Sequence, residues 1–600
     1  MNKQHNFCSY LLVLFIVCGS LLARAQQELN PVTFTVSMEH PNTHYFHIEM
    51  EYDKAGTDEC LIKMPVWTPG YYWMLNFSRN VMNFSASDRN GKTLGFTKTD
   101  LNTWKIEGEK KGKVKISYDV FANKISVAEP FLDDGRAFIS PTGIFMFPDK
   151  KLNNPVLVKI RPDKGWKNIN TGLKKINGEE NTWLAKDFDE LYDCPILAGN
   201  METRSFDLEG ITYTIVIENP AGADCEKYAA DFKKIARSAT HLIGDVPYDH
   251  YEFLIMDKGL GGLEHRNSMV VFSTPDSDMS DTAEYTRWLA FIAHEFFHLY
   301  NVKTIRPIAL GPFDYCNENL THMLWVAEGL TVYYEYIVLN KAGLMPRQDV
   351  LDAYSNAIAT FENAPGRKYM TARQSSFETW LNFFSRDNHT ANTTISYYDI
   401  GCALGLLLDL KIRHETENRK SLNDVMRMIY YDFHKKQKRG YTDDEFRKVC
   451  EDIAGCRLDE IFRYAATTVP IDYQKYLSYT GISIDLSSQK KESFGIDLRM
   501  ENNSWTITDI DRNSPAWKNG LSIGDKIILV NGNYPDKNTI EELLHPSASA
   551  KRKLKIERRT GDKEFVISTF EKKICDYKMQ INKELTQSQK DILESWLTDL

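Results

Sequence analysis

From Val32 to about Asp207 apolar and polar positions alternate with a period of two. Val32-Thr33-Phe34-Thr35-Val36, His44 to Met50 and Val114 to Val120 each send every second side chain to one face, with Gly, Asn and Asp between the runs. This is the pattern of half-buried strands joined by turns, and it predicts a β-sandwich-like domain over residues 26–207. Pro65-Val66-Trp67-Thr68-Pro69-Gly70-Tyr71-Tyr72 interrupts the pattern with two prolines and three aromatics in eight residues. Such a stretch does not suit an interior strand. It reads first as a rigid surface turn; the other reading is a loop that walls a cleft.

The pattern then changes. A strand-like run at 211–217 precedes a helical stretch at about 226–243, a strand at 251–256, the glycine-rich Gly259-Leu260-Gly261-Gly262-Leu263-Glu264-His265 and a strand at 269–272. From Trp288 the apolar spacing is helical, and it is helical again from Leu324 to Glu335 and, with Leu404, Leu406, Leu407, Leu408 and Leu410 as core, from 402 to about 480. These elements predict a second domain over residues 208–482, mixing a small sheet with helices. A third unit is expected over 483–575. In a tail at 576–600, Ile592, Leu593, Trp596, Leu597 and Leu600 fall on one face of a short helix starting near Thr586, which is expected to dock on the body.

The second domain carries the chemistry. In His294-Glu295-Phe296-Phe297-His298 the two histidines are four residues apart, so in a helix they return to one face and can present two imidazoles to one metal ion. Glu295 lies beside that seam, where a carboxylate can take the proton of an activated water. The alternative is a core helix whose histidines are hydrogen-bonded structurally. Asp281 with Glu284 three residues on reads as a capping box that starts this helix. Downstream, Glu328 sits in an apolar helical stretch where an unpaired carboxylate is costly, which marks it as the third ligand. Glu335, seven residues on and facing the same way, and the more distant Glu318 compete for that place. Glu264, flanked by Gly261 and Gly262, can approach a ligand closely, although such a loop is more often without a site.

Composition narrows the class. Six hundred residues exceed one hydrophobic core, 42% apolar and 12% aromatic content suffices to fold several, and a net charge of −9 provides no basic field for nucleic acid or an anionic membrane surface. Lys3, the apolar run 11–17 and Ala23-Arg24-Ala25 read as a signal peptide over residues 1–25, so an exported, periplasmic or secreted protein starting at Gln26 is expected. An uncleaved anchor is the alternative. No later stretch reaches 18 apolar residues, which predicts no stable membrane insertion after cleavage. Of the cysteines left after cleavage, Cys450 and Cys456 could bridge, and free buried thiols are equally plausible.

Three separated motifs in order, Gly261-Gly262-Leu263-Glu264-His265, His294 to His298 with Asn301-Val302-Lys303, and Trp325-Val326-Ala327-Glu328-Gly329, resemble the glycyl aminopeptidase family, zinc peptidases of the gluzincin group that carry a PDZ domain. The resemblance implies a thermolysin-like α+β catalytic domain with one Zn2+ held by His294, His298 and Glu328, and Glu295 as the base. By likeness to related gluzincin aminopeptidases, Glu264 would hold the substrate's free α-ammonium. In the same enzymes a tyrosine of a Tyr-acidic-x-Gly pattern donates to the oxyanion, a place Tyr398 of Tyr398-Asp399-Ile400-Gly401 fits, with Tyr397 as its neighbour and rival. Preference for N-terminal Gly or Ala would follow if the family's habit carries over. The chain departs from the family in a longer separation between His298 and Glu328, and in Tyr71 where Ser is expected after Gly70.

Ser514-Pro515-Ala516 to Gly520-Leu521 and Gly524-Asp525-Lys526-Ile527 to Asn531-Gly532 resemble a PDZ domain. Such a module adds a peptide as a strand and holds its C-terminal carboxylate on backbone amides, here at Phe494, Gly495 and Ile496, with Ser493 where a glycine is common. A purely structural domain is the other reading. Two further functions stand against an aminopeptidase: a zinc endopeptidase whose PDZ domain captures substrate tails, and a non-catalytic PDZ peptide-binding protein.

Overall fold

A computed structural model of the chain describes residues 30–54, 59–108, 112–220, 224–272 and 281–598. The expected signal peptide lies outside the described residues. The chain divides into two compact units, one formed by the chain up to Thr68 and by Leu75–Met201, the other by Pro69–Met74 and everything from Glu202 on.

The first unit is sheet-rich, as its alternation predicts. Val32–Ser37 runs antiparallel to Tyr45–Lys54 and parallel to Val156–Arg161, and Tyr45–Lys54 pairs antiparallel with Gly112–Phe121. These strands belong to an eight-stranded sheet, accompanied among the described residues by two four-stranded sheets. The inward positions Phe34, Val36, Phe46, Ile48, Ile116 and Tyr118 are fully buried. Phe34 meets Phe145 edge-on with ring centres 4.9 Å apart, and Tyr118 donates to the Ile144 carbonyl at 2.8 Å.

The second unit opens with a mixed five-stranded sheet in the order Glu202–Leu208, Ile211–Ile217, His250–Met256, Ser268–Phe272, Gly262–Glu264. Glu202–Leu208, which precedes the expected boundary at 207, pairs along its whole length with Ile211–Ile217. Among the described residues the short strand bearing Glu264 is an edge, paired on its Ser268–Phe272 side. Helix Thr282–Phe297 packs on this sheet through Phe296, which stacks on Phe253 at 5.9 Å. Its N-cap is Asp281, whose carboxylate accepts from the amides of Ala283 and Glu284 at 2.7 and 3.1 Å.

Two helical segments, Leu324–Ala327 and Gly329–Lys341, meet at Glu328, and helix Tyr397–Glu415 lies against the junction. A Cβ on Gly329 would lie 2.3 Å from the Gly401 Cα, and one on Gly401 would lie 2.2 Å from the Trp325 carbonyl oxygen. Only a glycine pair lets these backbones touch. That contact sets the first turn of Tyr397–Glu415 beside Glu328.

Pro69–Met74 belongs to this unit and not to the sheet-rich one around it in sequence. The surface-turn reading therefore does not hold for it: Tyr72 is 4% exposed, and Tyr71 and Trp73 pack their rings on Phe384 at 4.4 and 6.0 Å.

The expected PDZ region forms a five-stranded sheet in the order Ile496–Glu501, Ser504–Ile510, Lys526–Val530, Lys551–Glu557, Lys563–Ser568, with helix Lys537–Leu544. Phe494, Ile507, Ile540, Leu543, Leu554 and Ile567 close its core. The C-terminal helix Gln587–Trp596 starts with a capping box between Thr586 and Gln589 and docks as its pattern predicts. Its buried Trp596 donates to the Tyr333 hydroxyl at 2.9 Å. All cysteines among the described residues are free, Cys450 and Cys456 included. No described helix is long and apolar enough to cross a membrane.

Candidate active site

The helical spacing of His294 and His298 places both rings at the buried end of Thr282–Phe297, 8% and 2% exposed. Nε2 of one ring lies 3.0 Å from Nε2 of the other. Glu328, 3% exposed at the junction of its two helical segments, brings Oε2 to 3.1 Å from His298 Nε2 and 3.7 Å from His294 Nε2. One atom from each residue thus falls in a group spanning no more than 4.8 Å.

What lies behind the rings fixes which nitrogen faces inward. His294 Nδ1 donates to Glu335 Oε2 at 2.7 Å, and His298 Nδ1 donates to the Asn301 carbonyl at 2.6 Å. Carboxylates and carbonyls only accept, so each Nδ1 carries a proton and Nε2 is the nitrogen that can offer a lone pair to an ion. Glu335, the rival third ligand, therefore stands behind His294 and outside the converging atoms. Glu318 is not among them either. Asn301 also ties the two helices together, its side-chain amide donating to the carbonyls of Val326 and Ala327 at 2.8 and 3.0 Å.

This arrangement fits a divalent ion on its own chemistry. Three donor atoms converge, two neutral nitrogens and one carboxylate oxygen, and the imidazoles have outer acceptors that orient them. Burial opposes charging the rings, yet the carboxylates of Glu328 and Glu335 beside the two His294 nitrogens raise its pKa well above its ordinary value, and the Glu328 charge raises that of His298. Burial likewise opposes ionising Glu328, but His298 and His294 pull its pKa well below the usual carboxylate range. The pocket is short of positive charge, and a bound cation meets that need directly.

Glu295, 5% exposed, does not join the three converging atoms. Burial pushes its carboxyl up to about 7 against the pull of His294 and His298, near where a proton acceptor and donor must titrate. Gly262 lies against it, since a Cβ there would sit 2.5 Å from Glu295 Oε1. Gly261, at φ +93°, faces open space. The Tyr398 ring stacks beside His294 with centres 6.2 Å apart. Burial and the Glu328 charge hold its phenol well above the ordinary value, so it is a neutral donor at pH 7. Tyr397, the rival, accepts at its hydroxyl from Thr379 at 3.2 Å, and burial and the Glu328 charge raise its phenol as well.

Glu264 is 4% exposed, and its Oε1 has no hydrogen-bond partner. Lys303 Nζ approaches that oxygen to 3.6 Å, an ion pair outside hydrogen-bond length, with both side chains 5% exposed. A Cβ on Gly70 would fall 2.7 and 2.8 Å from the two Glu264 oxygens. Lys303 and Gly70 approach Glu264, and Tyr72 of the same turn feels its charge; sequence reasoning gave none of the three a role at this carboxylate. Lys303 was visible only as a letter of a motif, and the other two sit in a turn about two hundred residues away in the chain.

The PDZ loop forms a separate group. Phe494 is buried in that domain's core, and the Gly495 amide, at φ +75°, donates to Ser493 Oγ at 2.9 Å.

Comparison with known proteins places these features in a family. Residues 33–200 match the peptidase M61 N-terminal domain, residues 287–404 the M61 glycyl aminopeptidase domain and residues 483–555 the PDZ domain. Among solved structures, an aminopeptidase N family protein from Idiomarina loihiensis has a TM-score of 0.85 at 23% identity, covering 94% of this chain and 100% of its own. It shares the fold. An M1 zinc metallopeptidase from Deinococcus radiodurans gives a TM-score of 0.48 at 12% identity over 74% of this chain and 94% of its own. Yeast LTA4 hydrolase gives 0.47 at 14% over 75% and 67%. No curated protein matches.

Proposed function

The chain belongs to the M61 glycyl aminopeptidase family and is a metallopeptidase, and from that premise we propose that it removes single residues, Gly or Ala by preference, from the free N-termini of peptides outside the cytoplasm. The observation that carries this reading is Glu264, a buried carboxylate with one oxygen short of a donor, in the unit where His294, His298 and Glu328 converge. A free α-ammonium provides that donor, and an internal peptide bond has no cation to offer.

The Nε2 atoms of His294 and His298 and a Glu328 oxygen would hold one zinc ion, which would supply Lewis-acid polarisation of the scissile carbonyl and a more acidic water. Glu295 takes the proton of the attacking water on its carboxylate and passes it to the leaving amine nitrogen. Tyr398 donates its phenolic hydrogen to the carbonyl oxygen as negative charge develops there. Glu264 holds the substrate's α-ammonium and so fixes which peptide bond reaches Glu295. Asn301 and Glu335 keep the imidazoles in the tautomer that leaves Nε2 free.

Export rests on Lys3, the 11–17 run and Ala23-Arg24-Ala25. Capture of a peptide's C-terminal carboxylate at Phe494, Gly495 and Ile496 rests on the PDZ fold, and the carboxylate would displace Ser493 Oγ from the Gly495 amide. The deciding experiment compares free and N-acetylated Gly-peptides on the zinc-loaded protein. Acetylation abolishes turnover, and Glu295→Gln lowers kcat by about 10²–10⁴ with metal content unchanged. Equal turnover of acetylated peptides would make the protein an endopeptidase.

A further inference from the structure

The Pro69–Met74 turn has a place in the site that no step of the chemistry uses. It is pinned from two sides within the catalytic unit. On one side Gly70, in a left-handed conformation at φ +90°, lies so close to the Glu264 carboxylate that no side chain fits between them. On the other, Tyr71 and Trp73 pack on Phe384, and Tyr72 meets Trp380 edge-on at 6.0 Å. Tyr72, two residues from the glycine, is 4% exposed.

Gly70 sets the turn against Glu264, and Tyr72 follows two residues on in the same turn. After burial itself, Glu328 and Glu264 are the strongest influences raising its pKa, and Tyr398 in turn feels Tyr72. A gap separates the proposed ammonium anchor, against which Gly70 lies, from the metal-ligand carboxylate of Glu328, and both charges act on Tyr72. In the aminopeptidase reading the substrate's first residue bridges that same gap. Its α-nitrogen and carbonyl carbon are two bonds apart, roughly 2.5 Å, so its Cα has little freedom and its side chain leaves from the middle of the gap.

Resting on the aminopeptidase reading, we propose that the Pro69–Met74 turn is the wall of the pocket for the substrate's first side chain, and that Tyr72 is the specificity-determining residue that keeps this pocket small. A buried ring braced by Trp380 cannot swing aside for a branched side chain. Glycine and alanine need no such movement. The preference for small N-terminal residues then has a physical origin in this chain, the bulk of one ring. Because the effect is steric, the hydroxyl is dispensable to it.

The test uses the zinc-loaded full chain with Gly-, Ala-, Leu- and Phe-anilides, and calorimetric binding of glycinamide and leucinamide as a readout that needs no turnover. Tyr72→Ala is expected to raise the Leu-to-Gly ratio of kcat/KM at least about tenfold, the scale set by a methylene in an apolar pocket. It should shift the two binding constants the same way. Tyr72→Phe should keep the narrow profile of the natural protein. Tyr72→Leu, which retains apolar bulk, carries the comparison if Tyr72→Ala melts early, with a smaller shift expected. A narrow natural profile with a Tyr72→Ala ratio within about twofold of it overturns the wall and leaves the aminopeptidase reading standing. A natural protein that accepts Leu as well as Gly overturns the wall and the Gly/Ala preference together. Equal turnover of N-acetylated substrates removes the aminopeptidase reading, and the wall with it.

Discussion

Around His294, His298 and Glu328 each imidazole nitrogen that turns away from the cluster has an outer acceptor, Glu335 for one ring and the Asn301 carbonyl for the other. Glu264 is as deeply buried, yet one of its oxygens has no donor at hydrogen-bond distance. The first region is over-determined before anything binds, which is how a protein fixes coordination geometry. The second holds a buried charge incompletely satisfied, a costly arrangement that an incoming cation relieves. The first suits a resident ion and the second a visitor. The two should therefore respond differently to the same kind of substitution.

The largest effect is expected at the visitor's site. Glu264→Gln keeps the shape of the side chain and removes its charge. It should lower kcat/KM for free N-termini by about 10² or more, because a charge-assisted bond to a desolvated ammonium is lost, while zinc content stays at one ion per chain. If discrimination between free and acetylated peptides survives the change, Glu264 is not the anchor. Next in size is Glu335→Gln, which leaves a hydrogen-bonding group behind His294 but no charge. Loss of such an outer partner costs about 10- to 100-fold in metal affinity, to be read by competition with a chelator. Activity at saturating zinc should change far less than affinity.

The metal-free protein offers a pH test of the same contrast. His294 and His298 have folded pKa values above the ordinary 6.5, so their contribution to stability is complete below that value and lost as pH rises through the raised ones. Glu295, raised to about 7, acts in the same sense. Glu328, lowered from 4.5, contributes above that value and loses its contribution as pH falls through its depressed one. The two histidines and Glu328 therefore contribute in full together between about pH 4.5 and 6.5, while the Glu295 contribution already falls across that window, so the metal-free cluster stabilises the chain most near pH 4.5. Zinc replaces the protons, so the rise in Tm on adding it should grow from pH 6 to pH 8. A rise independent of pH would mean that the ion binds elsewhere.

Most of the architecture could be read from periodicity. The alternation before residue 207 is a sheet-rich unit, and the amphipathic tail docks by Trp596. The four-residue spacing of the histidines and the lone acid at 328 were legible because a helix repeats and a buried charge needs a partner. Glu335 shows the limit. It points the same way as Glu328, and only distance shows that it reaches the far nitrogen of His294. Pro65–Tyr72 was legible as odd, with a cleft wall only as the second reading, since the partners of its later part, Glu264, Trp380 and Phe384, are remote in sequence. Gly329 and Gly401 were noticed as motif letters, whereas their reason is a backbone contact that no single-chain pattern encodes.

The smallest effect, and the most discriminating, belongs to Lys303. Its ammonium lies 3.6 Å from Glu264 Oε1, so it either prepares the carboxylate for substrate or competes with the substrate for it. Preparation is expected. Without Lys303, Glu264 would be a buried carboxylate near the like charge of Glu295 and without its ion pair, no longer held where the ammonium must meet it. Lys303→Met should then raise KM for free N-terminal peptides by about three- to tenfold, up to roughly 1.4 kcal/mol of binding, with kcat nearly constant. Lys303→Arg should restore most of the loss, because the charge returns. A fall in KM for Lys303→Met would instead make the lysine a competitor that substrate must displace, and the pocket at Glu264 would then be satisfied by exchange of one ammonium for another.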